Sequence, residues 1–311
     1  MYSRFKALQK FNEEDLEEIE NSRVAVVGLG ATGSVIAENL ARHGVNLVLI
    51  DRDYLEPNDV YSSNIYTPNQ CENAVPKAEA AKTYLENFTE ARSQVRSLGP
   101  DNTGILDDAE LIVDGTDNLE TRFLIDEYSQ KNGTPWIYTA AVGEKAYSMF
   151  FDDKCFSCIF EDVGLDVAET CESAGILREI AGRAALQTSE KAVNYLAGNA
   201  VAEKLDVVHE GRSLDVESEG CEVCEGEGTY LDKNPGTTSV CGENKYQVDK
   251  DFNQKAVENL KEAGEVLAEN SYLVRVKTDG RKITVFNDGR VILEARDKGH
   301  AEALVSEKLG I

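Results

Sequence analysis

No stretch of this chain approaches the ~18 consecutive apolar residues that a membrane-spanning helix needs, so a helical membrane protein is not expected. The first twenty residues are charged and lack the apolar core of a secretion signal. The expected location is therefore cytoplasmic. Internal repeats are absent as well. Positive charge is in short supply, with 32 Lys and Arg against 57 Asp and Glu, a formal net charge of −25. Such a surface repels nucleic acid and anionic lipid, so neither is expected as a partner. The acids are spread along the chain, as on a solvated surface adapted to high salt, where counterions screen self-repulsion. Local runs at 13–20 and 217–227 leave open a second explanation, a basic partner.

Seven cysteines are present, an odd number, and no secretion signal accompanies them. A disulfide framework is therefore not expected. Four of them form two C-x-x-C pairs, Cys155–Cys158 and Cys221–Cys224. Two such pairs match a closed tetrahedral zinc site, which would be structural because no coordination position stays open. A redox role for one pair is the alternative.

Along the chain, a helical lead-in over 1–22 gives way to a short β-branched run, Val24 to Val27. That run meets Gly28-Leu29-Gly30-Ala31-Thr32-Gly33, and a helical pattern continues to His43. A second strand runs from Asn46 to Ile50 and delivers Asp51. A helix over 77–88, a strand at 111–113 ending in Asp114-Gly115-Thr116-Asp117-Asn118, another helix and a strand at 135–141 follow. Alternating β and α segments imply a parallel sheet covered on both faces. Residues 225–245 are rich in Gly, Glu and Asn and read as a linker. Beyond it the pattern predicts a helix over 252–268, strands at 271–277, 282–286 and 290–295, and a helix over 298–309. Asn287-Asp288-Gly289 between two of these strands is a hairpin signal.

Gly28, Gly30 and Gly33 stand between a strand and a helix, where glycines admit a phosphate to the backbone and the helix N-terminus supplies N–H donors. Asp51 is placed to accept from a ribose hydroxyl. By itself this fingerprint fits any nucleotide or dinucleotide, and an NAD-dependent oxidoreductase remains open on it.

Further motifs, in a fixed order, resemble the ThiF/MoeB/HesA family of ubiquitin-activating-enzyme-like adenylyltransferases over about residues 2–224. Tyr2-Ser3-Arg4 is similar to the family's Tyr-x-Arg, which makes Arg4 an arginine supplied to the neighbouring subunit's ATP. Asp51-Arg52-Asp53 resembles its Asp-x-Asp, Val75-Pro76-Lys77 its x-Pro-Lys and Thr116-Asp117-Asn118 its Thr-Asp-Asn, with Arg122 one helical turn on. By this resemblance Asp51 holds the ribose, Lys77 and Arg122 neutralise phosphate, and Asp117 handles Mg²⁺ and the reacting phosphate, with Asp53 and Asn118 as further cofactor-binding candidates. Thr170-Cys171-Glu172 resembles the family's cysteine near the acceptor tail, which implies a thioester or persulfide role for Cys171. Cys241 is a second candidate carrier. Two departures stand out: Ala31 replaces a glycine of the loop, and Ser62 stands where relatives carry a phosphate-gripping arginine.

The resemblance implies ATP, Mg²⁺ and Zn²⁺ as cofactors, a homodimer, and a small ubiquitin-like or sulfur-carrier protein ending in Gly-Gly as partner. Together with the acidic surface it points to a prokaryotic, archaeal, salt-adapted member. The expected fold is α/β: a Rossmann-like, doubly wound, mostly parallel sheet with four-cysteine zinc knuckles and a small C-terminal α+β module. The expected division is 1–224 for adenylation, 225–245 as linker and 246–311 as module. A non-catalytic nucleotide-binding scaffold of the same fold is the alternative to the enzyme.

Overall fold

Near-continuous apolar runs make the central strands, because a parallel strand covered on both faces has no wet side to fill with polar residues. The computed structural model describes residues 10–160, 175–218, 220–232, 238–239, 245–250, 252–287 and 289–309. Arg4, Cys171 and Cys241 lie outside them. The chain divides into two compact units, one of Met1–Thr67 with Pro76–Lys233 and one of Pro68–Val75 with Asn234–Ile311.

The described helices of eight or more residues are α1 (Glu13–Asn21), α2 (Gly33–Arg42), α3 (Lys77–Leu85), α4 (Leu119–Asn132), α5 (Arg178–Leu196), α6 (Gln254–Glu262) and α7 (Lys298–Leu309). Strands of the first unit are β1 (Arg23–Val27), β2 (Asn46–Ile50), β3 (Ala91–Gln94), β4 (Leu111–Asp114), β5 (Trp136–Val142), β6 (Lys145–Phe151), β7 (Leu205–Val207) and β8 (Arg212–Leu214). They form one sheet in the order β3-β2-β1-β4-β5-β6-β7-β8. From β3 to β5 every pairing is parallel, and from β5 to β8 every pairing is antiparallel. The chain leaves β1 towards β2 on one side and returns to β4 on the other. The crevice at the carboxyl ends of β1 and β4 is thus a topological switch point, where open α/β sheets bind ligands.

Val24, Ala25, Val26, Leu111, Ile112 and Val113 have no solvent exposure. Burial of each larger aliphatic side chain stabilises the sheet by roughly 1.5–3 kcal/mol. Helix α5 lies on β5 and β6 and against α2. It makes a close approach through small buried residues, Ala181, Ala184, Ala185 and Ala192. The hydroxyl of Thr188 on this face sits 2.8 Å from Thr139 Oγ1 and 2.9 Å from Ser148 Oγ, so the buried hydroxyls satisfy one another.

The second unit contains β9 (Thr238–Ser239), β10 (Lys245–Asp249), β11 (Glu265–Glu269), β12 (Leu273–Thr278), β13 (Arg281–Phe286) and β14 (Arg290–Glu294). These make an antiparallel sheet ordered β11-β12-β13-β14-β10-β9. Its apolar face (Val274, Val276, Ile283, Val285, Val291, Leu293) packs with Leu260, Leu304 and Val305 from α6 and α7. The predicted hairpin is present: Gly289 adopts φ +98°, and its amide donates to Phe286 O at 3.2 Å. The helix expected over 252–268 is shorter. It ends at Glu262, and residues 265–269 form β11, paired to β12. Gly264 makes the change of direction. A Cβ there would lie 2.5 Å from Val276 Cγ1 and 2.6 Å from Lys277 O, so only glycine brings the chain this close to β12.

Candidate active site and cysteine cluster

Gly28 leaves β1 in the left-handed region (φ +83°), its amide donating to Ile50 O at 2.8 Å. A Cβ on Gly33 would fall 1.9 Å from Gly28 O, and a Cβ on Gly115 would fall 2.7 Å from Gly33 Cα. Three glycines therefore interlock backbone to backbone at the crevice, binding the loop after β1 to the loop after β4. Gly30 is different, since a Cβ there would meet nothing within 4 Å. Its face is the open one, and α2 starts three residues later at Gly33. This geometry suits a phosphate group that needs close backbone approach and a helix N-terminus.

Asp51 follows β2 and is buried, with 9% of its surface exposed. Its carboxylate accepts from Leu29 N at 2.6 Å and from Asp53 N at 2.7 Å, fixing the glycine loop against the segment after β2. Burial, reinforced by the charge of Asp53 and opposed by Lys77, pushes the Asp51 carboxyl up to about 6. Lys77 opens α3, and its amide donates to Asp53 O at 2.8 Å. Its ammonium lies 3.2 Å from Asp59 Oδ1, both side chains being largely buried. Burial would lower the Lys77 ammonium, but Asp53, Asp51 and Asp59 together outweigh it and raise it above its ordinary range. The lysine therefore stays charged while facing three carboxylates.

Beyond β4, Asp114 Oδ1 accepts from Thr116 N at 2.8 Å and from Thr116 Oγ1 at 2.6 Å, shaping the Gly115–Asp117 turn. Arg122 is 7% exposed. It donates to Asp114 Oδ2 at 2.8 Å and to the carbonyls of Thr116 and Thr139 at 2.5 and 3.2 Å. Its guanidinium is thus occupied beneath the turn. Asp117 is exposed at the top of it. Asn118 caps α4, its side-chain oxygen accepting from Glu120 N at 2.8 Å and Thr121 N at 3.3 Å. Ser62 Oγ donates to Asp59 O at 3.3 Å.

Gly28, Gly30, Asp51, Asp53, Asp117 and Asn118 lie on the loops that follow β1, β2 and β4, and Gly33, Lys77 and Arg122 lie in the first turns of the helices those loops lead into. Sequence reasoning missed Asp59 as the partner of Lys77. It also missed Asp114 with Gly115 as the seat of the turn, and Tyr66, whose hydroxyl donates to Leu29 O at 2.7 Å. Asp114 and Gly115 adjoin the Thr-Asp-Asn motif and were open to being found there. Nothing local marks Asp59 or Tyr66.

The four predicted metal ligands, Cys155, Cys158, Cys221 and Cys224, bring their sulfurs within 4.8 Å of one another. The closest pairs are Cys158–Cys224 at 3.3 Å, Cys155–Cys221 at 3.7 Å and Cys221–Cys224 at 3.9 Å. A tetrahedral zinc with ~2.3 Å bonds to sulfur sets its ligands ~3.8 Å apart, so the cluster is able to chelate such an ion. Asp126 on α4, fully buried, accepts from Phe156 N and Ser157 N at 2.9 Å and from Ser157 Oγ at 2.7 Å, which holds the first knuckle in place. Phe156 anchors it further, stacking on Phe160 at 4.5 Å and edge-on to Phe123 at 5.4 Å.

A model of the ThiF family matches residues 2–224. The sulfur carrier protein ThiS adenylyltransferase of Bacillus subtilis is 28% identical, the match covering 99% of each chain. Ubiquitin-like modifier-activating enzyme 5 of Drosophila virilis is 30% identical over 60% of this chain and 51% of its own. The chain spans about half the length of that relative. Among solved structures, E. coli MccB with ATP superposes with a TM-score of 0.59 at 15% identity, covering 73% of this chain and 74% of that one. At that identity the likeness speaks for the fold. No described helix is long and apolar enough to cross a membrane.

Proposed function

This chain belongs to the ThiF family, and from that premise we propose that it is an ATP-dependent adenylyltransferase. In this reading it activates the C-terminal glycine of a small sulfur-carrier or ubiquitin-like protein, for sulfur transfer or conjugation. The observation that carries the proposal is the convergence at one switch point of an interlocked glycine loop with an open face at Gly30, a buried Asp51 bonded to that loop and a largely buried, charged Lys77. The near full-length match to an adenylyltransferase of a sulfur carrier supports the acceptor class.

ATP lies with its phosphates over Gly30 and its ribose hydroxyl donating to Asp51. The acceptor's terminal carboxylate attacks the α-phosphorus. A new P–O bond forms, the bond to the β-phosphate breaks, and pyrophosphate leaves with the displaced electron pair, giving an acyl-adenylate. Little covalent help is needed, because positioning and neutralisation of developing charge carry such a step. Lys77 faces the phosphates; Asp117, exposed on its turn, would hold Mg²⁺, which when bound screens the phosphate charge. Arg122 fixes the turn that carries Asp117.

The four cysteines would hold Zn²⁺ as a structural ion, tying residues 221–224 to the domain. Arg4 of a second subunit completes the site, which makes the active form a homodimer, and Cys171 or Cys241 is the candidate acceptor of the activated acyl group. Residues 1–224 then serve as the adenylation domain, and the C-terminal module takes into its sheet residues 238–239 and Lys245 from the stretch expected to be a linker.

ATP–pyrophosphate exchange tests the proposal, run at low and molar salt with small proteins ending in Gly-Gly. Exchange that requires such a protein and vanishes in Asp117→Ala supports it. A folded, ATP-binding chain that shows no exchange with any such protein would refute it in favour of a non-catalytic scaffold.

A further inference from the structure

Arg52, Lys77, Arg122 and Arg178 lie on segments that border the glycine loop, and they differ in what neutralises them. Arg52 Nε is 3.7 Å from Asp53 Oδ1, Lys77 Nζ is 3.2 Å from Asp59, and Arg122 Nε is 2.8 Å from Asp114. Each of these three cations is set against a carboxylate. Arg178, the first residue of α5, instead donates through Nη2 to the side-chain oxygen of Asn64, a neutral amide. Among the described residues it has no carboxylate within ion-pair distance, and it is exposed. In a chain with 25 more acidic than basic side chains, an exposed guanidinium set on a neutral amide is a charge still available to an anion.

Its placement says for what. Ile180 and Ala181, on the same first turn of α5, belong to the apolar cluster against which Ala31 of the glycine loop packs. Asn64 lies two residues before Tyr66, whose hydroxyl is bonded to Leu29 O of that loop. Arg178 is therefore held between two segments that are both fixed to the loop. The same stretch contains Ser62, which presents a hydroxyl and no charge.

We propose that Arg178 is a phosphate-binding residue of the ATP site, delivering from α5 the cation that the 59–64 stretch lacks. A guanidinium reaches a polyphosphate with parallel N–H donors, and exchanging the Asn64 amide for a phosphate oxygen gains charge assistance. The inference rests on ATP being the substrate, as in the proposed function.

The test is calorimetric binding of ATP and of AMP to the full chain and to Arg178→Gln, with urea unfolding as a check that the variant folds. ATP affinity is expected to fall about 10- to 100-fold, the range for one charge-assisted hydrogen bond, while AMP affinity stays within about twofold. Adding Ser62→Arg to Arg178→Gln is expected to recover about tenfold of the loss. Unchanged ATP affinity in Arg178→Gln, equal losses for ATP and AMP, or no recovery with Ser62→Arg would overturn the assignment. A wild-type chain that binds no ATP overturns this inference and the proposed function together. A chain whose ATP binding depends on Arg178 but which shows no exchange loses the proposed function alone.

Discussion

Substituting Gly33 by alanine would place a methyl carbon 1.9 Å from Gly28 O and 2.9 Å from Gly28 C. Non-bonded heavy atoms rest at roughly 3.5 Å, so the two backbone segments must part by about 1.6 Å. No flexible side chain is there to yield, because the neighbouring atoms are backbone of Gly28 and Gly115. Overpacking of this kind costs about 1–3 kcal/mol, and a shift of ~1 Å in a binding loop costs about 100-fold in function. Gly30→Ala is the paired control, since its methyl would meet nothing within 4 Å of protein. Urea unfolding and ATP titration of both variants separate the two roles. Gly33→Ala is expected to lose stability and ATP affinity together, whereas Gly30→Ala keeps its unfolding midpoint and loses ATP affinity about tenfold or more, because phosphate needs the space over its backbone. Wild-type ATP affinity in Gly30→Ala would refute this placement of the phosphates, and an unaltered midpoint in Gly33→Ala would refute the interlock.

Asp51, raised to about 6 mainly by burial, should make ATP affinity fall as pH drops through that value, since the protonated carboxyl no longer accepts from ribose as an anion. The folded carboxyl binds its proton more tightly than the unfolded one, so its contribution to stability is fully present below pH ~3.8 and is lost as pH rises through ~6. Affinity and this part of stability thus run in opposite directions, which parallel titrations and melts at pH 5 and 7 will show. Lys77→Met leaves Asp51, Asp53 and Asp59 facing one another without their cation; it should lower ATP affinity about 100-fold and give an unfolding midpoint that improves from pH 7 to pH 5 by more than the wild type's does, whereas an improvement no larger than the wild type's would count against the cluster. Asp126→Ala strips the acceptor from two buried amides and a hydroxyl at the first cysteine knuckle. At ~1–3 kcal/mol for each unsatisfied group, a loss of about 3 kcal/mol or more is expected in urea, and an unaltered midpoint would show that water replaces the carboxylate. Metal analysis should find one tightly held zinc per chain, lost in Cys221→Ser with a lower melting temperature; full stability without metal would remove its structural role.

The switch-point architecture was legible in the chain because its signals are local. Apolar runs at β1, β2 and β4, the glycine spacing at 28–33, the Thr-Asp-Asn segment and the two C-x-x-C pairs each fall within a few residues. Local spacing also explains a misread element, since Glu265 to Glu269 continues the apolar rhythm of α6, and pairing with β12 across Gly264 overrides it.

What the sequence by itself determined is the kind of element at each place and the chemistry available there: a phosphate loop after β1, acids after β2 and β4, and thiols in pairs. Tertiary structure alone decided which of these meet. It set Asp59 against Lys77 and Gly33 against Gly28 and Gly115. It brought Cys155 to Cys221, 66 residues on, and left Arg178 facing a neutral amide. Periodicity and motif spacing report on neighbours along the chain, whereas these contacts depend on the order of strands in the sheet and on how closely helices pack over it.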